Sequence, residues 1–597
     1  MLNDGVRRLL ALSVFLVSMQ AIVGNAQQIL GQPYPVLDDW MNTYITDLLS
    51  RWNSSGGVGV AVVRRVSPSQ WQVETRGYGK ARYDGTPVTE ETLFSIGSNT
   101  KLFNILATGL LISNESLSPR ITWNTKLASV IPGWKLLDPV ASTGTTILDA
   151  MSHRTGLPRH DHVFHVNDSI PDVIRHAQSL RSSGEFRESF QYTNLMYNII
   201  SYLPTVLLPG RPSFARYVKE NIFQPLGLNS TTFSFEAANK TGKLADGMDR
   251  EDVVGLLDDG PARAIPYWSQ TGGEDGNVMS GAAGIISNAV DMAIWLQTLL
   301  QDGVNPRSNV SVIPKEVLTM TSTGITVGSG TTKVPFLSPS VYGGGQWQNT
   351  YRGHVLIEHD GSVPGFNSIV SRLPFEKIGI AVLTNDDQVG DVLANIIKYR
   401  IVDLALGMPP LNTEKLYLGI AQSITNAQKN LLPRPPDATP PSRGFATLAG
   451  LYENPAYGRI EFCYASLATN DSSKAPPSNS CRDLVNRSST ILPGVVESGV
   501  PTFLARWDRV FGKYVALKHF NGDLFNVTVL NSYPTGNTSR PFWAGKMVDD
   551  RANARFVADD QGIGLAMINN FWSASKVGSP EGRTIREKAE VWFEKVG

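Results

Sequence analysis

Phe94-Ser95-Ile96-Gly97-Ser98-Asn99-Thr100-Lys101-Leu102-Phe103 sets a serine one helical turn ahead of a lysine, where an apolar run begins. Leu102, Phe103, Ile105, Leu106, Leu110 and Leu111 recur at helical spacing, which predicts a helix with Ser98 in its first turn and Lys101 on the same side. A hydroxyl then lies beside an amine. Serine is a poor nucleophile at neutral pH unless a neighbour takes its proton. A lysine can do so when burial disfavours its ammonium form, and the N–H groups at a helix N-terminus suit developing negative charge. Alone, the pair reads more simply as an N-capping serine and a solvated lysine, and Ser573 and Lys576 repeat the spacing without that setting.

Two other stretches carry side chains of the right kind. Phe190-Gln191-Tyr192-Thr193-Asn194-Leu195-Met196-Tyr197 runs into a helical pattern through Ile199, Ile200, Tyr202 and Leu203. At such a loop-helix junction the Tyr192 phenol can pass protons, if neighbouring cations favour its ionised form, and the Asn194 amide can orient both a lysine and a substrate carbonyl. The plain alternative is a half-buried tyrosine with a capping asparagine, and Tyr452-Glu453-Asn454 repeats that pattern. His354-Val355-Leu356-Ile357-Glu358-His359-Asp360-Gly361-Ser362 reads as a strand entering a glycine turn, with further strands around Ile369-Val370 and Ile378–Leu383. A strand edge beside a nucleophile can offer a backbone N–H to an oxyanion, while His359 alone reads as a structural histidine. Gly281-Ala282-Ala283-Gly284, before the helical Val290–Leu296, reads as close-packing scaffold.

His153, His160, His162 and His165, with Asp161 among them, raise the question of a metal. Their spacing gives no helical pair four residues apart and no cysteine accompanies them, so polar loop packing or a cleft wall is expected, with no metal or cofactor.

The whole chain sets wider bounds. Its 597 residues exceed one ordinary domain. The 53 basic and 53 acidic side chains cancel, which recommends neither nucleic acid nor an anionic membrane as partner. Arg7 and Arg8, the apolar Leu9–Val23 and Gly24-Asn25-Ala26 read as a secretory signal over 1–26, with an N-terminal anchor as the alternative. No membrane segment is expected in the mature form, and the expected location is extracellular. Sequons at Asn53, Asn114, Asn167, Asn229, Asn239, Asn309, Asn470, Asn486, Asn526 and Asn537 agree with export. The chain's two cysteines, Cys463 and Cys481, flank a short Ser-, Pro- and Asn-containing segment; they would pair in an oxidising compartment, or stay as two buried thiols otherwise. Valine-rich Gly57–Val63 and alternating Trp71–Thr75 suggest an early hairpin. The organisation read from these signals is a domain over 36–410, a helical segment with a Pro-rich linker over 411–443, and a β-rich barrel or sandwich over 444–597.

Taken in order, Ser98-Asn99-Thr100-Lys101, Tyr192-Thr193-Asn194 and His359-Asp360-Gly361 resemble the three motifs of the serine β-lactamase and penicillin-binding-protein superfamily. Ser152-His153-Arg154-Thr155-Gly156-Leu157-Pro158 and the glycine-alanine run resemble segments of its class C branch, with that branch's esterases, D-aminopeptidases and carboxypeptidases. The resemblance implies an α/β (α+β) fold, with a central antiparallel sheet built from both ends of the domain and a helical subdomain. It implies catalysis by Ser98, Lys101 and Tyr192 and substrate binding by Asn194, His359, Gly361 and Ser362, with the N–H groups of Ser98 and Ser362 as oxyanion donors. His359 stands where many relatives carry lysine. Histidine, unperturbed near 6.5, is mostly neutral at pH 7, which points to a small-molecule or peptide-like ester or amide without an obligatory carboxylate. An acyltransferase in a small-molecule pathway and a non-catalytic ligand-binding protein are the alternatives.

Overall fold

A computed structural model describes residues 34–251, 253, 255–332, 334–430, 432–465, 478–546, 552–560, 562–575 and 580–596. The signal-like segment 1–26, the sequon at Asn470 and Lys576 lie outside the described residues.

The early valine run decides the centre of the first domain. Val58, Val60 and Val62 enter one core, while Ala61 and Val63 enter another on the opposite face. A strand buried on both faces needs apolar residues at every position, which is why the run is unbroken. This is β1 (Gly57–Ser67), and with it β2 (Gln70–Gly79), β3 (Thr326–Ser329), β4 (Ser340–Tyr342), β5 (Trp347–Tyr351), β6 (His354–Val363), β7 (Phe366–Leu373) and β8 (Ile378–Thr384) make an antiparallel sheet. Its order is β2-β1-β8-β7-β6-β5-β4-β3, so the hairpin from one end of the domain pairs with strands from the other, as Val60 does with Val382.

The helices that close the sheet and build the site are α1 (Asp39–Arg51), α2 (Thr100–Ser113), α3 (Asn194–Ile200), α4 (Ala289–Leu300) and α5 (Gly390–Ala405). Met41, Ile45 and Leu48 of α1 join Leu393, Ile396 and Ile397 of α5 against Val58, Val60, Ile380 and Val382. On the other face α4 packs on β1 and β8, its first turn capped by Asn288, whose Oδ1 accepts from Asp291 N at 2.9 Å. Phe103 of α2 stacks on Trp295 of α4 with ring centres 4.0 Å apart, tying the Ser98 helix to the sheet layer.

After α6 (Thr413–Lys429) the chain enters its second unit. Its strands are β9 (Gly450–Asn454), β10 (Gly458–Tyr464), β11 (Thr502–Arg506), β12 (Tyr514–Asn521), β13 (Leu524–Pro534), β14 (Phe542–Lys546), β15 (Asn553–Asp559), β16 (Gly562–Ile568) and β17 (Val591–Lys595). They run β12-β11-β10-β9-β17-β16-β15-β13-β14, and β12 also pairs with β13, which closes a barrel and leaves β14 on its side. Closure removes the free edges that a sandwich would keep. Phe503, Phe525 and Phe556 fill the interior. Cys463, at the end of β10, is disulfide-bonded to Cys481 on α7 (Asn479–Ile491). Among the described residues, no helix is long and apolar enough to cross a membrane.

Candidate active site

Ser98 sits in a tight turn, Gly97–Asn99, that leads into α2. Four contacts fix that turn on the sheet. Asn99 Nδ2 donates to Ser368 Oγ at 2.9 Å, and Ser368 Oγ donates to Ile96 O at 2.9 Å. Gly97 has a φ of +51°, and a Cβ there would stand 2.8 Å from Ser362 N. A Cβ on Gly361 would stand 2.0 Å from Ile96 O. Turn and strand thus meet backbone to backbone, which sets the N–H side of Ser362 beside the nucleophile's turn. Gly361→Ala is expected to push β6 off this turn and lower kcat/KM by about 10²-fold, on the scale of a displacement near 1 Å; ester turnover measured beside an unchanged circular dichroism spectrum checks it.

Lys101 is fully buried. Its Nζ lies 2.9 Å from Ser98 Oγ, 2.8 Å from Asn194 Oδ1 and 3.0 Å from Ala282 O. Burial holds its pKa well below the usual lysine range; Arg159 adds to the drop, while Asp161 and Asp360 oppose it. A neutral amine has two N–H groups and one lone pair. Ala282 O and Asn194 Oδ1 only accept, so they take the two N–H groups and leave the lone pair for the Ser98 hydroxyl. The glycine-alanine run, expected as scaffold alone, therefore also supplies a carbonyl to the site.

Tyr192 OH donates to Ser98 Oγ at 2.8 Å. Burial raises its pKa, an effect that the neighbouring cation Arg159 only partly offsets, so the phenol is held protonated. The capping role at this junction belongs to Thr193, whose side chain accepts from Leu195 N at 3.3 Å. Asn194, in the first turn of α3, is left to reach sideways. Both ends of its amide are used within the protein: Oδ1 accepts from Lys101, and Nδ2 donates to Asp161 Oδ1 at 2.9 Å.

His359 stands in the sheet-side wall, its ring centre 6.2 Å from that of Tyr192. Its Nδ1–H donates to Asp360 O and its Nε2 accepts from Tyr342 OH at 3.0 Å, so neither nitrogen is left for a substrate. Burial pushes its pKa down and Lys101 adds to this, against the pull of Asp360; the ring is neutral at pH 7.

The other histidines do not converge. His153 packs behind Tyr192 with ring centres 4.4 Å apart and accepts from Thr193 N at Nδ1. His160 accepts from Tyr457 OH of the barrel at 2.7 Å and donates to Arg181 O at 2.9 Å. His162 lies against Trp507 and Phe571, and His165 Nδ1 accepts from Asn167 N. Among the described residues, the one group of three or more His, Cys, Asp and Glu atoms close enough to share an ion is Glu461, Cys463 and Cys481, and its two sulfurs are bonded to each other.

Sequence reasoning missed Arg159 as a site residue and saw Asp161 only among the histidines. Arg159 Nε donates to Asp161 Oδ2 at 2.7 Å, and its guanidinium carbon lies 5.1 Å from the centre of the Tyr192 ring. The barrel borders this loop: Trp572 O accepts from His160 N, Ser575 N donates to Gln191 Oε1, and Tyr192 N donates to Ser575 Oγ.

A serine whose oxygen meets a buried lysine and a tyrosine, on a helix packed against an antiparallel sheet, is the arrangement of the serine β-lactamase fold. The chain belongs to the Beta-lactamase family, whose model matches residues 41–402. It is similar to Unguisins hydrolase ungD' of Aspergillus campestris, 30% identical over 444 residues that cover 71% of this chain and 77% of that protein. Unguisins hydrolase ungD of Aspergillus violaceofuscus is 29% identical over 457 residues, covering 71% of this chain and 76% of its own. Among solved structures, the class C beta lactamase from Rhodobacter sphaeroides aligns over 62% of this chain and all of its own, at 18% identity and a TM-score of 0.45.

Proposed function

We propose that this protein is an exported serine hydrolase that opens an ester or amide through an acyl-enzyme on Ser98. The observation that carries this is the double contact at Ser98 Oγ, with Lys101 Nζ at 2.9 Å and Tyr192 OH at 2.8 Å. Lys101 takes the hydroxyl proton as Oγ attacks the substrate carbonyl. The oxyanion that forms lies against the N–H groups of Ser98 and Ser362. Tyr192 gives its proton to the leaving group and regains one from the Lys101 ammonium, and water then cleaves the acyl-enzyme by the reverse relay. Each proton and charge in this sequence has a partner among these residues, so the step requires no metal or cofactor. That the two similar fungal proteins are named as hydrolases agrees with this reading. The neutral His359 supports a small-molecule or peptide-like substrate without an obligatory carboxylate.

Incubation with a fluorophosphonate, followed by peptide mapping, is expected to place the adduct on Ser98. An adduct on another residue overturns the assignment.

Export is supported by the disulfide and by the sequons. Asn53, Asn167, Asn229, Asn239, Asn309, Asn486 and Asn537 are exposed and Asn114 is half-buried, whereas Asn526 lies half-buried in β13 and accepts from Asn553 Nδ2. Protein recovered from the medium of a eukaryotic host is expected to lose mass on treatment with an N-glycosidase, with glycans on the exposed sites and none on Asn526. Retention inside the cell without glycans would overturn it.

A further inference from the structure

The cleft wall formed by the helical subdomain holds a donor that the three motifs do not include. Asn194, the motif residue expected to hold the substrate, is 4% exposed. Its oxygen is taken by Lys101 and its nitrogen is turned toward Asp161. Arg159 has the opposite character. Its side chain is 40% exposed, and only Nε is committed, to Asp161. Among the described residues, nothing accepts a hydrogen bond from its two terminal nitrogens. Those nitrogens project from a guanidinium held over the ring of Tyr192, whose hydroxyl touches Ser98.

Resting on the acyl-enzyme reading, we propose that Arg159 is the substrate-facing donor on this side of the cleft, and that its terminal N–H fork binds an uncharged amide carbonyl flanking the scissile bond of a peptide-like substrate. Asp161 sets this up. One of its oxygens holds Arg159 and the other holds Asn194, so a single carboxylate fixes both the donor fork and the amide that steadies Lys101. The same carboxylate already balances the guanidinium's charge. Asp360, which faces Lys101 and Arg159 electrostatically, adds a second negative group, so the mouth offers hydrogen-bond donors without a net positive field. A neutral carbonyl gains from such a fork, while a carboxylate would be placed beside two others. The neutral His359 supplies no cation from the sheet side either.

Two uncharged esters separate this from a general effect on catalysis. The only carbonyl of 4-nitrophenyl acetate is the scissile one, whereas N-acetylglycyl-glycolamide carries an amide carbonyl on each side of its ester. Arg159→Met keeps the stem over Tyr192 and removes the fork. It is expected to lower kcat/KM for the glycolamide, mainly through KM, at least about tenfold more than for 4-nitrophenyl acetate, the worth of one hydrogen bond from a charged donor. Arg159→Lys, which keeps a charge without the fork, is expected to recover little of that difference. Wild type should also turn over the glycolamide and its free glycolate counterpart within about threefold of each other. Equal losses on both uncharged esters, or none, overturn the assignment; a strong preference for the glycolate overturns the uncharged part of it. A wild-type protein that takes no fluorophosphonate at Ser98 overturns the hydrolase reading and this proposal with it, whereas an adduct at Ser98 with equal losses sinks this proposal alone.

Discussion

Ser98→Ala is expected to lower kcat by about 10⁴-fold or more and to abolish covalent labelling, the largest effect of any single change in this chain. The size follows from what the hydroxyl does. It is the atom on which Lys101 and Tyr192 both converge, and neither of them is placed to attack in its absence: the amine has two of its positions taken by Asn194 and Ala282, and burial holds the phenol protonated. The substitution removes one oxygen from a turn held by Asn99, Ser368 and the backbone of Ile96, so folding should be little changed. Measuring kcat on the best ester alongside thermal melting separates loss of the nucleophile from loss of the fold. Turnover within tenfold of wild type, at an unchanged melting temperature, would rule Ser98 out.

Why the serine and lysine could be found without coordinates is a matter of range. Their relation spans one helical turn, and helical period is written locally. The same holds for the Gly57–Val63 part of β1, where an unbroken apolar run signals burial on both faces. Tyr192, Asn194 and His359 were legible only as members of an ordered set that resembles a known family, because nothing local says that a loop and a strand far apart in sequence share one cleft. Ala282 O had no signature at all: any residue has a carbonyl, and which one faces an amine depends on packing. Arg159 and Asp161 failed for another reason. They flank His160, whose φ is +47°, a left-handed backbone that breaks both helical and strand periodicity, so no pattern could report that the two side chains meet. The histidines beside them drew attention by composition, yet in such an irregular loop their rings turn to different neighbours. For the last domain the β-rich character was readable but barrel and sandwich stayed open, because closure depends on the pairing of β12 with β13 and on β17 filling the gap between β9 and β16.

Lys101→Met is expected to lower kcat/KM by about 10³-fold, within the range of a lost general base, while leaving Ser98 in place. Methionine keeps the length of the side chain and removes the lone pair. Tyr192 cannot take over, since its burial disfavours the phenolate. Lys101→Arg sharpens the point: arginine fills the space and donates hydrogen bonds but has no lone pair at any working pH, so it should be as inactive as methionine. The wild-type pH profile carries the sign of the same assignment. Because burial and Arg159 depress the Lys101 pKa, the amine is free above that pKa and becomes an ammonium below it. The rate constant kcat/KM should therefore be level on the alkaline side and fall about tenfold per pH unit once the pH drops below the Lys101 pKa. Removing the nearby cation raises that pKa, so in Arg159→Met the acid limb should move to higher pH. An acid limb that stays where it was in Arg159→Met, or an active Lys101→Arg protein, would show that the proton from Ser98 goes elsewhere.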